Sequence, residues 1–181
     1  MIKGLTDEHV ALYLERIGVE PSAVTLDHDG LAALQYAHLT TVPFTNIDVY
    51  DKLPVTTSLD WSLPAVLQGR GGWCFVLNGV FAALLEALNF QITRMSAQVV
   101  MTGTPSPMED HLCIRVDLAE PWLVDVGFGE SFTRPIHLNS DVAVNDVAAG
   151  RRFRLTKRHD GRRQLESEQH VDGKPYWRAD Y

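Results

Sequence analysis

The sequence predicts an α+β protein, with helices in the first half of the chain and an antiparallel β-barrel or sandwich in the second half. Up to about residue 89, apolar residues recur every three or four positions, which is typical of helices with one buried face. Beyond that point apolar and polar residues alternate, as they do in half-buried strands. We therefore expect a helical domain over residues 1–89 and a β domain over residues 90–181.

Four helices are predicted in the first half. Thr6 can cap the first helix, because its hydroxyl can accept a hydrogen bond from a free backbone N–H, and Gly18 can end it. The other three are expected at residues 29–39, 58–68 and 74–88. Pro64 suits a first helical turn, which favours a start near Ser62 for the third helix.

Six strands are predicted in the second half, at residues 92–101, 111–118, 122–126, 153–156, 164–167 and 176–178. The pairs Asp160-Gly161 and Asp172-Gly173 are strong signals for hairpin turns. In the second and third strands the branched apolar residues share one face, which leaves His111 and Asp125 on the other. Asp125 falls a few residues from the position opposite His111, so a contact between them needs a bulge or a bend.

The composition argues against several classes of function. The formal net charge is −7, whereas nucleic-acid phosphates or an anionic membrane surface require a basic protein. No apolar stretch approaches the ~20 residues that span a bilayer, and the first residues lack a secretory apolar core. Two cysteines without zinc-site spacing imply neither a disulfide framework nor a metal. We expect a cytoplasmic protein without metal that binds neither nucleic acid nor membranes.

Cys74 is the strongest candidate for a reactive group. It lies in the segment RGGWCFVLN, after a glycine pair and at the start of an apolar helical run. The N-terminus of a helix favours a thiolate over a thiol, because it carries about half a positive charge and free N–H donors. The alternative is that Cys74 is a small buried hydrophobic residue.

His111 and Asp125 follow Cys74 in chain order, each within a strand-like run. Cysteine, histidine and aspartate together supply the nucleophile, the base and the orienting group of acyl transfer. Asp125 interrupts an apolar strand, and a buried carboxylate is costly unless it is paired. Two alternatives stay open: Asp117 lies on the same face as His111, and the sequence contains six other histidines.

Two further residues have less specific patterns. Arg70 lies in the glycine-rich loop before Cys74, where it can bind an anion, brace the loop or stay solvated. Cys113 is expected to be structural, because no helix terminus is available to activate it.

Four segments of the chain resemble the arylamine N-acetyltransferase family. They are RGGWCF at 70–75, HLTTVPFTNID at 38–48, DHLCIRV at 110–116 and WLVDVGFGESF at 122–132. They occur in the family's order and at suitable spacing, which makes the resemblance specific.

The resemblance implies a cysteine-protease-like triad of Cys74, His111 and Asp125. It also implies acetyl-CoA as the acyl donor, an arylamine or hydrazine as the acceptor, and a ping-pong mechanism through acetyl-Cys74. Phe44 and Phe128 would line the acceptor site. Arg70 would hold the nucleophile loop together with Gly71 and Gly72.

The sequence departs from the family pattern in two ways. Thr45 and Val76 stand where the family usually has glutamates, so Arg70 is expected to lack carboxylate partners. The resemblance also implies a C-terminal third domain that covers the cleft, and we expect this chain to be a short form that lacks it. An uncovered site favours hydrolysis of the acyl-enzyme and a larger thioester donor, as in an amide synthase. A non-catalytic binding module and a homo-oligomer, formed through exposed apolar surface, are the other readings.

Overall fold

The computed structural model describes residues 3–100, 104 and 106–181. Five α-helices lie in the first half of the part described. They are α1 at Asp7–Ile17, α2 at His28–Thr41, α3 at Ile47–Tyr50, α4 at Leu59–Leu67 and α5 at Cys74–Ala87. No helix within these residues is long and apolar enough to cross a membrane.

Eight strands follow the helices. They are β1 at Gln91–Ala97, β2 at His111–Asp117, β3 at Pro121–Val124, β4 at Ile136–His137, β5 at Val144–Asp146, β6 at Arg151–Lys157, β7 at Arg163–Val171 and β8 at Lys174–Ala179. They form two four-stranded antiparallel sheets, in the orders β1-β2-β3-β4 and β5-β6-β7-β8. The predicted α+β class is confirmed, as two separate sheets rather than a closed barrel.

The first sheet lies between the helices and the second sheet. One of its faces, with Ile114 and Val124, packs in a core with the buried faces of the helices. Its other face, with Cys113 and Leu123, packs in a second core with β6 and β7. The division of apolar faces therefore follows the predicted alternation, because successive strand residues point to opposite sides.

The helix ends have local causes. The Thr6 hydroxyl accepts the His9 N–H, and Gly18 ends α1 in the left-handed conformation with φ of 72°. The expected start of the third helix near Ser62 is wrong, since α4 begins at Leu59 and contains Pro64. Pro64 has no N–H to donate to the Asp60 carbonyl one turn earlier, so this short helix lacks a hydrogen bond at that point. The short α3 was not predicted, because four residues are too few to show a period.

The strands differ from expectation mainly at their ends. The first strand ends at Ala97, and its predicted end at Met101 lies outside the described residues. The short strands β4 and β5 gave no sequence signal. Asp172 and Gly173 form the predicted two-residue turn between β7 and β8, and both have the positive φ that a type I′ turn requires.

Candidate active site

Cys74 is the first residue of α5, as the sequence predicts. Val76 and Leu77 donate their backbone N–H groups to the Trp73 carbonyl. The N–H groups of Cys74 and Phe75 make no hydrogen bond within the part of the chain that the structure describes. The helix therefore presents free donors and the positive end of its dipole beside the thiol.

The loop before Cys74 is held by the segment that follows α2. Phe44 and Gly72 form a parallel bridge, and Thr45 donates its N–H to the Gly72 carbonyl over 2.9 Å. Gly71 has φ of 71°, and a Cβ at this position would lie 1.9 Å from the Pro43 carbonyl oxygen. Only glycine can combine this conformation with such a close approach.

His111 and Asp125 are in direct contact. His111 Nε2 lies 2.6 Å from Asp125 Oδ2, and the two residues are 2% and 1% exposed. The register pairs Ile114 with Val124, so His111 and Asp125 are diagonal neighbours on one face of the sheet. The chain leaves the ladder after Val124 and bends from residue 126, so a bend brings the two side chains together.

Three further donors surround the Asp125 carboxylate. Asn78 Nδ2 and the Gly127 N–H each donate to Oδ1 over 2.8 Å, and the Tyr181 hydroxyl donates to Oδ2 over 2.8 Å. With His111, these bonds occupy both oxygens of a fully buried carboxylate, which offsets its desolvation. Asp117 instead pairs with Arg115 at the surface and takes no part.

Asn78 connects α5 to the strand ends. Besides Asp125, its amide donates to the Leu112 carbonyl over 2.6 Å and its Oδ1 accepts the Val126 N–H over 2.9 Å. Asn78 was not predicted from the sequence, although a polar residue one turn after Cys74 in an apolar helix is a usable signal. Tyr181 was not predicted either, since the sequence offers no local signal for it.

The charges of the His111–Asp125 pair stabilise each other. Burial lowers the pKa of His111, but the charge of Asp125, the hydrogen bond to it and the contact with Cys74 outweigh burial and raise the pKa to about 10. Burial raises the pKa of Asp125, but His111 and the hydrogen bonds from Asn78 and Gly127 bring it below its usual value. The pair is therefore an imidazolium and a carboxylate at neutral pH.

Cys74 lies on the other side of the imidazole. Because Nε2 of His111 is bonded to Asp125, Nδ1 is the ring nitrogen available to the thiol. Cys74 Sγ also lies 3.9 Å from the Asp110 carbonyl oxygen. The imidazolium can hold the proton that the thiol gives up, because Asp125 stabilises its positive charge.

Two phenylalanines named from the sequence lie around this site. Phe128 meets His111 in an edge contact, with ring centroids 5.1 Å apart, and it meets Tyr181 in a similar contact at 4.9 Å. Phe44 is 44% exposed and bridges to the loop two residues before Cys74. Phe128 therefore packs against the imidazole, whereas Phe44 is tied to the site through its backbone bridge to Gly72.

The other two sequence candidates lie apart from the chemistry. Arg70 is exposed, with its guanidinium 5.7 Å from the Trp61 ring centre, and within the described residues it makes no ion pair. Cys113 is buried, and burial together with the charge of Asp125 raises the pKa of its thiol. The described residues contain no group of three or more side chains suited to a metal ion.

Comparison with known proteins gives consistent matches. A family model described as N-acetyltransferase matches residues 27–180. The arylamine N-acetyltransferase of Escherichia coli (strain K12) is 40% identical over 126 residues, which cover 66% of this chain and 44% of that protein. The arylamine N-acetyltransferase of Salmonella typhimurium superposes with a TM-score of 0.83 at 25% identity, covering 98% of this chain and 63% of that one.

A third match is the structure of Mycobacterium marinum arylamine N-acetyltransferase in complex with CoA. It superposes with a TM-score of 0.79 at 29% identity, covering 95% of this chain and 64% of that one. The chain thus spans about half the length of the curated relatives it matches. Since the family model covers most of the sequence and the solved structures share its fold, the chain belongs to the arylamine N-acetyltransferase family.

Proposed function

We propose that this chain transfers the acetyl group of acetyl-CoA to an arylamine or hydrazine through an acetyl-Cys74 intermediate. The observation that carries the proposal is the placement of Cys74 at a helix N-terminus beside the buried His111–Asp125 pair. The relatives named as arylamine N-acetyltransferases, and the CoA complex of one of them, support the choice of substrates. In this scheme residues 1–89 supply the nucleophile, and residues 90–181 supply the base and its orienting group.

The first half-reaction forms the acyl-enzyme. In the resting pair the Cys74 proton is already on His111, and the thiolate attacks the thioester carbonyl carbon of acetyl-CoA. The N–H groups of Cys74 and Phe75 are the donors that we assign to the developing oxyanion. The tetrahedral intermediate then breaks its bond to the CoA sulfur, which takes the proton from His111. Asp125 keeps the imidazole oriented and stabilises its charge while the proton is held there.

The second half-reaction transfers the acetyl group. The acceptor amine attacks the carbonyl carbon of acetyl-Cys74, and His111 takes the proton that the nitrogen loses. The intermediate expels the Cys74 thiolate, and this restores the thiolate–imidazolium pair and releases the amide. Phe128 and Phe44 supply aromatic surface for the ring of an arylamine. Arg70, Gly71 and Gly72 act on the position of Cys74 and not on the substrate.

Mass spectrometry of the intact protein tests this proposal. After brief mixing with acetyl-CoA, we expect the parent and Cys113→Ala to gain one acetyl group and Cys74→Ala to gain none. Adding an arylamine should then discharge the adduct and yield the N-acetylated amine. Release of CoA without an amine would indicate a thioester hydrolase. Neither an adduct nor free CoA would contradict the proposal and favour a larger acyl donor or a binding module.

The predictions about association and location have separate tests. A small-molecule acceptor needs no protein partner. However, α3 and its flanks expose apolar side chains that another copy of the protein could cover, namely Ile47, Tyr50 and Leu53. Exposed apolar surface of this kind favours a homo-oligomer, which concentration-dependent gel filtration would reveal. A cytoplasmic location remains a prediction that fractionation of cells would test.

A further inference from the structure

A cavity of about 380 Å³, partly open to solvent, reaches into the core between the two sheets. Its wall is mainly apolar and includes Met95, Cys113, Leu123, Leu155 and Leu165. These residues come from β1, β2, β3, β6 and β7, so the cavity belongs to the fold and not to one loop. Its volume falls within the range of small-molecule sites, roughly 300–1,000 Å³.

The lining of this cavity also includes a cluster of cations from the hairpin that joins β6 and β7. Arg158, Arg162 and Arg163 line the cavity together with Gln164, and Glu109 is the one carboxylate among the lining residues described. Arg162 extends to Met108 on the neighbouring loop, with Nη1 at 3.4 Å from the sulfur. The cavity is thus an apolar chamber with guanidinium groups on one side.

The three arginines differ in how their charge is compensated. Arg162 pairs with Asp160, and Arg163 pairs with Asp141. Arg158 donates to the neutral Gln164 side chain and makes no ion pair within the described residues. One guanidinium is therefore left with a net charge to offer a ligand, although Asp160 lies within its electrostatic reach.

This concentration of positive charge stands out in an acidic chain. Residues 151–163 read RRFRLTKRHDGRR, with a single aspartate, while the whole sequence carries a net charge of −7. On the outer face of the sheet Arg152 and Arg154 are paired with Glu168 and Glu166. The remaining charge is thus gathered at the hairpin beside the cavity, where it can attract an anion.

We propose that the cavity binds an aliphatic monocarboxylate, with its chain in the apolar core and its carboxylate on Arg158. The exposed Arg158 guanidinium matches a carboxylate through paired N–H donors, and the mainly apolar wall can take an aliphatic chain. Arg158 is the one lining arginine without an ion pair among the described residues, and it can pair with a single carboxylate. The volume accommodates an alkyl chain of roughly eight to twelve carbons, if each methylene takes up ~30 Å³, the volume of a water molecule in the liquid.

This site is separate from the proposed acyl-transfer centre. Cys74, His111 and Asp125 do not line the cavity. Among the described residues, Tyr181 belongs to both places, since it lines the cavity and its hydroxyl bonds to Asp125. The binding test therefore does not depend on whether the chain transfers acetyl groups.

Calorimetric titration with sodium octanoate tests the proposal, with 1-octanol as the uncharged ligand of equal chain length. We expect octanoate to bind once per chain and more tightly than 1-octanol. Arg158→Ala should weaken octanoate binding about tenfold, the typical loss of one hydrogen bond to a charged group, and leave 1-octanol unchanged. Arg152→Ala, on the outer face of the same hairpin, is the matched control and should change neither.

A second variant tests the chamber itself. Leu155→Phe fills part of the cavity, and it should weaken both ligands once circular dichroism has shown that the fold is kept. The proposal is overturned if octanoate shows no saturable binding, if both ligands bind equally well, or if the two arginine variants lose the same affinity. The proposal is also overturned if butyrate binds as tightly as octanoate, because the longer alkyl chain of octanoate would then contribute nothing to binding.

Discussion

Replacing Asn78 with alanine tests the central claim that the triad is held by a buried hydrogen-bond network. The change removes three hydrogen bonds of 2.6, 2.8 and 2.9 Å. The Val126 N–H is left without its partner, which lowers the free energy of unfolding by about 1–3 kcal/mol. The charged Asp125 also loses one donor, which lowers it by about 1.5–3 kcal/mol. We expect the free energy of unfolding to fall by roughly 3–5 kcal/mol.

Urea denaturation at pH 7 measures this loss, with Asn139→Ala as the control because Asn139 is an exposed asparagine on the same chain. The control should stay within about 0.5 kcal/mol of the parent. Acetylation of Cys74 should also slow at least tenfold in Asn78→Ala, since Asp125 then orients His111 less firmly. It should be measured at a temperature where both variants are folded.

The hydrogen-bond network does not hold the triad if Asn78→Ala lowers the free energy of unfolding no more than Asn139→Ala does. A loss below about 1 kcal/mol would mean that water replaces the amide at little cost and that the site is wetter than the packing implies. A full loss of stability with an unchanged acetylation rate would separate the network from catalysis. It would then leave Asn78 with a structural role alone.

Three further experiments test neighbouring parts of the site. Tyr181→Phe removes the 2.8 Å hydrogen bond to Asp125 but keeps the ring, and it should cost about 1.5–3 kcal/mol in urea denaturation. Gly127→Ala places a Cβ 2.7 Å from the backbone of the first turn of α5, and it should lower the free energy of unfolding by at least ~2 kcal/mol. Gly79→Ala has open space around it and should raise the free energy of unfolding by about 0.5–1 kcal/mol. The pKa of His111 is raised to about 10, so its stabilising effect is complete below about pH 6.5 and is lost as the pH rises through 10. The difference in unfolding free energy between the parent and His111→Gln should shrink over that window, and a difference independent of pH would contradict the ion pair.

Local sequence patterns gave most of the fold, because a helix or a strand is set by residues a few positions apart. The capping of α1 at Thr6 and Gly18 and the start of α5 at Cys74 followed from such signals. The alternation in β2 and β3 placed His111 and Asp125 on one face. The start of α4 was wrong, since Pro64 lies inside that helix. The shortest elements left no periodic trace.

The sequence by itself determined the order of helices and strands, the helix N-terminus that carries Cys74, and the candidates His111 and Asp125. Only the tertiary structure decided that His111 and Asp125 touch, because the contact depends on where β3 leaves its ladder and bends. It also brought Tyr181 to a carboxylate 56 residues away in the chain. Such contacts depend on how distant elements pack, and no local period records that packing.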